Sequence, residues 1–193
     1  MLPTAIQKID LWLFHLINQL PHPQWVDRLS LTLDLAGEAR DFIALSLGML
    51  FVGLILKRRK LVVGGFFLAV SILTTGYVVE ILKQFFERAR PYEALKDVYF
   101  LAETSGTSFP SGHTGLYTSL GAFMIFYFNR AKGWWLLLIF LGGLARIYQG
   151  VHYPSDVVFS WTIGIFIAYI TAKTARFTDE LRQAKSLYKY RKI

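Results

Sequence analysis

The sequence predicts an all-α protein, a polytopic bundle of transmembrane helices with five spans and an additional N-terminal helix. Of its 193 residues, 54% are hydrophobic and only 18% are charged, which is too apolar for an ordinary soluble domain. The apolar residues form five long runs, and basic residues lie in short clusters between them. A net charge of +8 distributed in this way indicates lipid headgroups and membrane topology, and not nucleic acid.

The five apolar runs cover residues 42–56, 61–82, 112–129, 133–145 and 157–172. Only the basic residues 57–60 separate the first two runs, which therefore predict a helical hairpin. Several runs are shorter than the ~20 residues that a transmembrane helix normally needs. We therefore expect the helices to extend into the polar segments that flank them, where the candidate functional residues lie. Gly142 and Gly143 are expected to allow close contact between helices.

Orientation follows from the basic residues, because Lys and Arg favour cytoplasmic loops. They cluster at residues 57–60, 130–132 and 173–192. With all three clusters inside, the first span enters from the outer side near Asp41 and the last span ends in the cytoplasm near Lys173. Residues 83–110 and 146–156 then share the outward face. We expect a multi-pass protein of a bacterial cytoplasmic membrane, with its site facing the periplasm or exterior.

The N-terminal region, residues 1–36, is amphipathic. Residues 5–20 are apolar but interrupted by polar side chains, so they predict either a sixth span or a helix that lies at the membrane interface. A Pro-His-Pro break follows, and residues 25–35 predict a second interfacial helix. We interpret the chain as one membrane domain that consists of this region, a helical core at 41–172 and a basic cytoplasmic tail at 173–193. The sequence leaves the oligomeric state open.

The candidate functional residues lie at the outward ends of the predicted helices. The absence of cysteine excludes disulfides, thiolate metal sites and a cysteine nucleophile. The chemically useful positions at these ends are Lys83, Arg90, Ser111, Gly112, His113, Arg146, His152 and Asp156. Each alone fits a headgroup anchor or a residue at a helix end. Together they predict a phosphoryl-transfer site, because fixed donors must match the charge on the phosphoryl oxygens.

The local sequence gives these residues a chemical use. Ser111 and Gly112 open a helix whose first amides can bind an anion. His113, in that first turn, can deliver a proton to a departing oxygen. A proline shortly after His152 marks the start of the last helix and places Asp156 in its first turns. A carboxylate that holds one imidazole nitrogen leaves the other free to attack, so this pair predicts a nucleophile with its orienting group.

Three motifs in this region resemble those of the type-2 phosphatidic-acid phosphatase superfamily, which includes bacterial lipid phosphatases and soluble vanadium haloperoxidases. The family shows Lys followed after six residues by Arg-Pro, then Pro-Ser-Gly-His, then Ser-Arg followed after five residues by His and after three more by Asp. This sequence has, in the same order and spacing, Lys83 with Arg90-Pro91, residues 110–113, and Arg146 with His152 and Asp156. The hydropathy fits the membrane branch of the family.

The resemblance implies a phosphatase that needs no cofactor and no metal. His152 would attack phosphorus to form a phosphohistidine, Asp156 would orient it, and His113 would protonate the leaving oxygen and then activate water. The phosphoryl oxygens would be bound by Lys83, Arg90, Ser111, Gly112 and Arg146. Ala145 departs from the family, which usually has serine there, and its lost hydrogen bond is expected to weaken phosphate binding. Arg88 is not one of the defining motif positions and is interpreted as a headgroup contact only.

The substrate is predicted as a class, a lipid phosphate or diphosphate whose hydrocarbon chain stays in the bilayer. Lipids handled by bacterial relatives include undecaprenyl pyrophosphate, phosphatidylglycerophosphate, phosphatidic acid and lipid A 1-phosphate. Residues 99–101 either touch that chain or dip into the interface. The alternative function is a non-catalytic transporter or lipid-phosphate-binding protein with the same fold, which the complete set of catalytic residues disfavours. Glu80, an acidic residue within a long apolar run, is interpreted as a partner of Lys83 or of an arginine.

Overall fold

Helices account for the regular secondary structure of the chain. The computed structural model describes residues 5–102 and 104–190, and every regular element within these ranges is helical. The helices are α1 Ala5–Asn18, α2 Gln24–Leu35, α3 Ala39–Ile55, α4 Arg59–Phe85, α5 Pro91–Ala94, α6 Gly112–Phe123, α7 Lys132–Tyr148 and α8 Pro154–Tyr190. The predicted all-α fold is therefore confirmed.

Helices α3 and α4 form the hairpin that the first two apolar runs predict. Glycines lie where the two helices touch. A Cβ added to Gly65 of α4 would lie 2.6 Å from the backbone nitrogen of Leu50, and one added to Gly53 of α3 would lie 2.7 Å from that of Val62. Residues 56–58, between the helices, carry part of the first basic cluster.

Helix α6 is the central helix of the bundle. It packs against α4, α7 and α8, and residues 114–123 are all buried. The close contact predicted for Gly142 and Gly143 is confirmed: a Cβ on Gly142 would lie 2.6 Å from the Tyr117 ring, and one on Gly143 would lie 2.8 Å from Val157 of α8. Leu68 and Ile72 of α4 belong to the same buried apolar cluster as Tyr117 and other α6 residues.

The outer faces of the core helices are apolar. Large side chains such as Phe51, Tyr77, Phe140 and Phe166 are more than half exposed, as expected for contact with lipid. By length and composition, α4 and residues 154–182 of α8 are able to cross a membrane. Helices α3 and α7 have 17 residues each, about 25 Å at 1.5 Å per residue. The 12 residues of α6 are continued by a five-residue π-helical turn, Met124–Phe128.

The two N-terminal helices lie against the end of the bundle where α7 stops and α8 starts. Phe14 of α1 packs against Ile147, Tyr153 and Val157, and α2 packs against α7. At 14 residues, α1 is about 21 Å long, which is short for a span and favours the interfacial alternative. Both helices were expected from the sequence.

Asn18, the last residue of α1, fastens this region to the segment between α5 and α6. Its Nδ2 donates to the carbonyl oxygens of Tyr99, at 2.8 Å, and Tyr148, at 2.9 Å, and its Oδ1 accepts from the Tyr99 amide at 2.9 Å. The ring of His22 stacks on that of Tyr99, with centroids 3.4 Å apart. Tyr99, one of the residues expected to touch lipid chain or interface, thus packs its ring on His22 and is still 43% exposed.

Candidate active site

The candidate site lies at one end of the bundle, where four core helices meet. Lys83 lies in the last turn of α4, His113 in the first turn of α6, Arg146 in the last turn of α7 and Asp156 in the first turn of α8. The helix starts expected at the Pro-Ser-Gly-His motif and at Pro154 are both found. Arg90 and His152 lie in the adjoining non-helical segments. The helices thus extend into the polar segments as the short apolar runs predict.

His152 lies at the bottom of the site and is 2% exposed. Its Nδ1 is 3.5 Å from Oδ2 of Asp156, and its Nε2 is 3.3 Å from Nη1 of Arg90. Within the described residues Nδ1 has no hydrogen-bond partner, so Asp156 acts on it as a nearby charge at this separation. Burial, with smaller contributions from Arg146 and Arg90, lowers the pKa of His152 to about 3 against the opposing effect of Asp156. The imidazole is therefore neutral at neutral pH.

The contact with Arg90 defines which nitrogen of His152 carries the proton. A guanidinium group only donates hydrogen bonds, so Nε2 is the acceptor and is unprotonated. The proton of the neutral ring then lies on Nδ1, facing the carboxylate of Asp156. The lone pair of Nε2 is directed towards a cation, which is the arrangement that a nucleophile for an anionic group requires.

Backbone carbonyls hold the guanidinium of Arg90 in place. Its Nε donates to the Gly106 oxygen and its Nη2 to the Ser105 oxygen, both at 2.8 Å, and its Nη1 donates to the Val151 oxygen at 3.1 Å. The side chain is 1% exposed. The segment before α6 and the segment before α8 are thereby joined around one fixed positive charge.

Arg146 supplies a second buried cation and is 2% exposed. Its Nη1 donates to Oε1 of Gln149 at 2.8 Å and forms an ion pair with Oδ1 of Asp34. Gln149 in turn donates from Nε2 to the Ser30 oxygen at 2.8 Å. Nε of Arg146 has no hydrogen-bond partner among the described residues, so the group keeps a donor for an anion. Asp34 is a carboxylate partner that the sequence analysis did not assign.

His113 faces the turn between α2 and α3. Its Nε2 lies 3.2 Å from the carbonyl oxygen of Asp34, 3.5 Å from Oδ1 of the same residue and 3.7 Å from Oε1 of Glu38. A Cβ on Gly37 would lie 2.6 Å from the His113 ring, so this turn packs directly on the histidine. Both carboxylates lie within ion-pair distance of the ring when it is protonated, as a proton donor must be.

Lys83, Ser111 and Gly112 form the remaining wall of the site. Nζ of Lys83 lies 3.5 Å from Oε1 of Glu80, which confirms the partner expected for Glu80. A Cβ on Gly112 would lie 3.9 Å from the same Nζ, so lysine and helix start are neighbours. Ser111 stands at the N-cap position, but its Oγ pairs with Oγ1 of Thr114 at 2.9 Å and caps no backbone amide. The first amides of α6 thus lack a side-chain cap.

Asp156 has further partners that the sequence analysis missed. Its Oδ1 accepts from Nη1 of Arg88 at 2.5 Å, and its Oδ2 accepts from Oγ of Ser108 at 2.5 Å and from the Tyr153 amide at 2.9 Å. The interpretation of Arg88 as a headgroup contact is wrong, because Nη2 also donates to Asp10, at 2.6 Å, and the guanidinium is directed into the protein. The position of Arg88, two residues before Arg90, is the sequence feature that could have indicated its role in the site. No sequence pattern indicates a role for Asp10.

Fold and site together define the class of protein. The sequence profile of the PAP2 superfamily matches residues 64–179, which contain all three motifs. The chain therefore belongs to the PAP2 superfamily, and the predicted family is confirmed. The predicted enzyme class, a phosphatase of lipid phosphates, is confirmed with it.

Relatives with assigned names are bacterial and archaeal. The chain is 34% identical over 149 residues to the bacitracin transport permease protein BcrC of Bacillus licheniformis, covering 76% of this chain and 71% of that protein. It is 31% identical to an undecaprenyl-diphosphatase of Sulfolobus acidocaldarius, covering 62% of this chain and 58% of the relative. It is 30% identical to a lipid A 1-phosphatase of Rhizobium johnstonii, covering 56% and 46% respectively.

Two solved structures are similar over most of the chain. Aquifex aeolicus LpxE superposes with a TM-score of 0.69 at 33% identity, covering 86% of this chain and 95% of that one. The transmembrane PAP2 type phosphatidylglycerolphosphate phosphatase of Bacillus subtilis superposes with a TM-score of 0.72 at 22% identity, covering 93% and 89%. The second similarity concerns the fold alone.

Proposed function

We propose that this protein removes the terminal phosphate from a lipid phosphate or diphosphate in the membrane, through a phosphohistidine on His152 and without a metal ion. The observation that carries the proposal is a buried, neutral His152 whose unprotonated Nε2 lies 3.3 Å from the Arg90 guanidinium, with Asp156 beside its other nitrogen. A neutral imidazole held against a cation has no evident use in anchoring a helix, whereas phosphoryl transfer needs both groups.

The first step forms a nitrogen–phosphorus bond. Nε2 of His152 attacks phosphorus, the bond from phosphorus to the lipid oxygen breaks, and His113 donates a proton to that oxygen. Asp156 stabilises the positive charge that the ring acquires. In the second step His113 takes a proton from water, the water oxygen attacks phosphorus, and the nitrogen–phosphorus bond breaks to release inorganic phosphate.

The phosphoryl oxygens are assigned to donors around His152. These donors are the side chains of Lys83, Arg90, Ser111 and Arg146 and the backbone amide of Gly112. Their combined positive charge supplies the electrostatic stabilisation that a magnesium ion supplies in other phosphoryl-transfer enzymes. The free donor of Arg146 and the uncapped start of α6 support this assignment.

The proposed topology has five spans, formed by α3, α4, α6 with its π-helical turn, α7 and α8. The basic clusters then lie on the cytoplasmic side, and α1 and α2 rest on the outward surface around the site. The packing of Phe14 and Asn18 against residues at the outward ends of α7 and α8 supports this placement. We assign the chain to a bacterial cytoplasmic membrane as one domain, with its site facing the periplasm or exterior and its basic tail inside.

The proposed substrates are undecaprenyl pyrophosphate, phosphatidylglycerophosphate, phosphatidic acid and lipid A 1-phosphate. The names of the relatives support all of these except phosphatidic acid. An apolar cavity of about 310 Å³ supports the proposal that the substrate is a lipid. It lies between α1, α2 and α7, and its lining includes Leu20, Leu29, Leu33, Leu141, Leu144 and Ala145. Leu33 and Ala145 directly precede Asp34 and Arg146, so the cavity adjoins the phosphate site.

A phosphate-release assay tests the proposal. Purified protein in detergent is given each of the four lipids, beside His152→Ala and a control, His15→Ala, which replaces a histidine on α1 outside the site. We expect release from at least one lipid, abolition in His152→Ala, activity within about twofold in the control, and no change with EDTA. Full activity in His152→Ala would contradict the mechanism. Loss of wild-type activity in the presence of EDTA would contradict it as well.

The covalent intermediate is tested separately. A lipid carrying radioactive phosphate is mixed briefly with the protein and quenched in alkali, in which a phosphohistidine survives. We expect label on the wild-type protein that acid removes, and no label on His152→Ala. Turnover without any trapped label, even after rapid quenching, would favour direct attack of water on the lipid phosphate.

A further inference from the structure

A carboxylate from the N-terminal helix reaches the candidate active site. Asp10 of α1 is 6% exposed and lies against the start of α8. Its Oδ1 accepts from the Ser155 amide at 2.8 Å, and its Oδ2 accepts from the Ser155 hydroxyl at 2.6 Å and from Nη2 of Arg88 at 2.6 Å. These three hydrogen bonds join positions far apart in the chain, and neither Asp10 nor Arg88 is a defining position of the three family motifs.

Arg88 connects this carboxylate to Asp156. Its Nη2 is held by Asp10, while its Nη1 donates to Oδ1 of Asp156 at 2.5 Å and to the Ser155 hydroxyl at 2.7 Å. The guanidinium also lies over the ring of Tyr153, 3.8 Å from its centroid. Because a guanidinium is planar and its donors are fixed relative to one another, holding one nitrogen determines where the other points.

We propose that Asp10 is a positioning residue of the phosphatase, which acts through Arg88 and the first turn of α8 to hold Asp156 against His152. The inference rests on the proposed function insofar as Asp156 serves the nucleophile. The effect travels through two contacts: the ion pair that aims Arg88, and the hydrogen bonds that fix Ser155 next to Asp156.

The charges explain why a second carboxylate is needed. Asp156 is fully buried and tolerates burial only with charged or hydrogen-bonding partners. Arg88, whose side chain is 31% exposed, is free to turn towards water unless a second acceptor holds it. Asp10 supplies that acceptor and also places a negative charge at the amino end of α8, where the helix dipole favours it. Neutralising Asp10 should leave phosphate binding intact and disturb the orientation of Asp156.

The test compares substitutions at two carboxylates of the N-terminal helices, the buried Asp10 and the partly buried Asp27. Asp10→Asn keeps the shape and removes the charge, and Asp10→Ala removes both. The matched control is Asp27→Asn on α2, whose carboxylate accepts from the Tyr148 hydroxyl at 2.6 Å and does not contact Asp156. Steady-state phosphate release gives kcat and KM, and thermal unfolding in detergent gives Tm.

We expect Asp10→Asn to lower kcat about tenfold and Asp10→Ala more, with KM within about twofold of the wild type. Asp27→Asn should keep kcat within about twofold, even where its Tm falls as much as that of the Asp10 variants. Unchanged kcat in Asp10→Asn would overturn the inference, and so would equal losses of kcat in Asp10→Asn and Asp27→Asn. His152→Ala in the same assay reports on the proposed function, so the two failures are distinguishable.

A double substitution separates positioning from general structural support. If Asp10 acts in part through Arg88, then Asp10→Asn combined with Arg88→Ala should lower kcat by clearly less than the product of the two single losses, because the contact that both share is already broken in Arg88→Ala. Asp10→Glu, which keeps the charge, should recover part of the activity lost in Asp10→Asn. Multiplied losses in the double variant, with no recovery in Asp10→Glu, would show that Asp10 only stabilises the fold.

Discussion

His152 illustrates how a residue's neighbours define its chemistry. Arg90 keeps Nε2 unprotonated, burial keeps the ring neutral, and Asp156 lies beside Nδ1, where the proposed attack would develop positive charge. The same imidazole on an exposed surface would be partly protonated at neutral pH. The sequence motif identifies the residue, and its protonation state follows from the packing around it.

We predict that His152 makes the protein less stable in acid. Its pKa of about 3 in the folded state lies below the ~6.5 of an unfolded histidine, so between these values the unfolded chain binds the extra proton. This group alone should lower the free energy of unfolding by up to ~1.4 kcal/mol per pH unit as the pH falls through that window. Thermal unfolding in detergent between about pH 4 and 7 measures the effect. His152→Gln should show a shallower dependence, and identical slopes would contradict the prediction.

Asp34 leads to a prediction about anion binding. Its carboxylate pairs with Arg146, where the proposed mechanism places a phosphoryl oxygen, so a bound phosphate must compete with it. Asp34→Asn should therefore strengthen competitive inhibition by inorganic phosphate about tenfold, which corresponds to ~1.4 kcal/mol. It should also lower the Tm without phosphate, because Arg146 is left buried without its charged partner.

The control for this prediction is Asp41→Asn on α3. That carboxylate forms an exposed ion pair with Arg40, at 3.8 Å, and exposed pairs contribute little. Inhibition by phosphate should be unchanged in the control. An unchanged inhibition constant in Asp34→Asn would mean that Asp34 does not compete with the substrate.

At the scale of helices, the α3–α4 hairpin depends on glycine at its contact. Gly65→Ala would place a Cβ 2.6 Å from the backbone of Leu50 and of Ser46, which has no flexible end that can move aside. We predict a loss of about 1–3 kcal/mol, as for other overpacked positions. Gly76→Ala on the same helix is the control, since no described atom lies within 4 Å of its Cβ. Its Tm should equal or exceed that of the wild type, because alanine favours helix more than glycine; an equal fall in both variants would refute the packing argument.

The apolar runs predicted the positions of the core helices. The helices extend beyond the ends of these runs, and the extensions have physical causes. The run at 133–145 lies inside α7, which continues to Tyr148 because the last turn is stabilised by the same backbone hydrogen bonds whether its side chains are polar or apolar. The run at 157–172 lies inside α8, which continues to Tyr190. The tail is rich in Lys and Arg, which favour helix, and extending a formed helix is easier than starting one.

At the scale of the whole molecule, the proposed topology can be tested by labelling single introduced cysteines, because the sequence contains no cysteine of its own. Lys96→Cys lies in the outward segment between α5 and α6, and Arg130→Cys lies between α6 and α7. A membrane-impermeant maleimide should label Lys96→Cys in intact cells and Arg130→Cys only after permeabilisation. Labelling of both in intact cells, or the reverse pattern, would exclude five spans with an outward site.

The sequence predicted the part of the site that lies within the motifs, and it missed the part that depends on tertiary contact. The spacing typical of the family made it possible to predict Lys83, Arg90, His113 and the residues at 146–156 from the sequence. Asp10 was not, since a charged residue on an amphipathic helix normally faces water, and its partners Arg88 and Ser155 lie 78 and 145 residues away in the chain. Asp34, beside Arg146, escaped prediction for the same reason.

The contact between Asp10 and Ser155 has a consequence for how the protein is made. A ribosome completes the first helix early and the last helix late, so Asp10 lacks its partner Ser155 during most of synthesis. Ser155 and Asp156 are added only with α8. Under the proposed mechanism the nascent chain therefore hydrolyses no lipid phosphate until its last helix has been made, and the completed fold and catalytic competence arrive together.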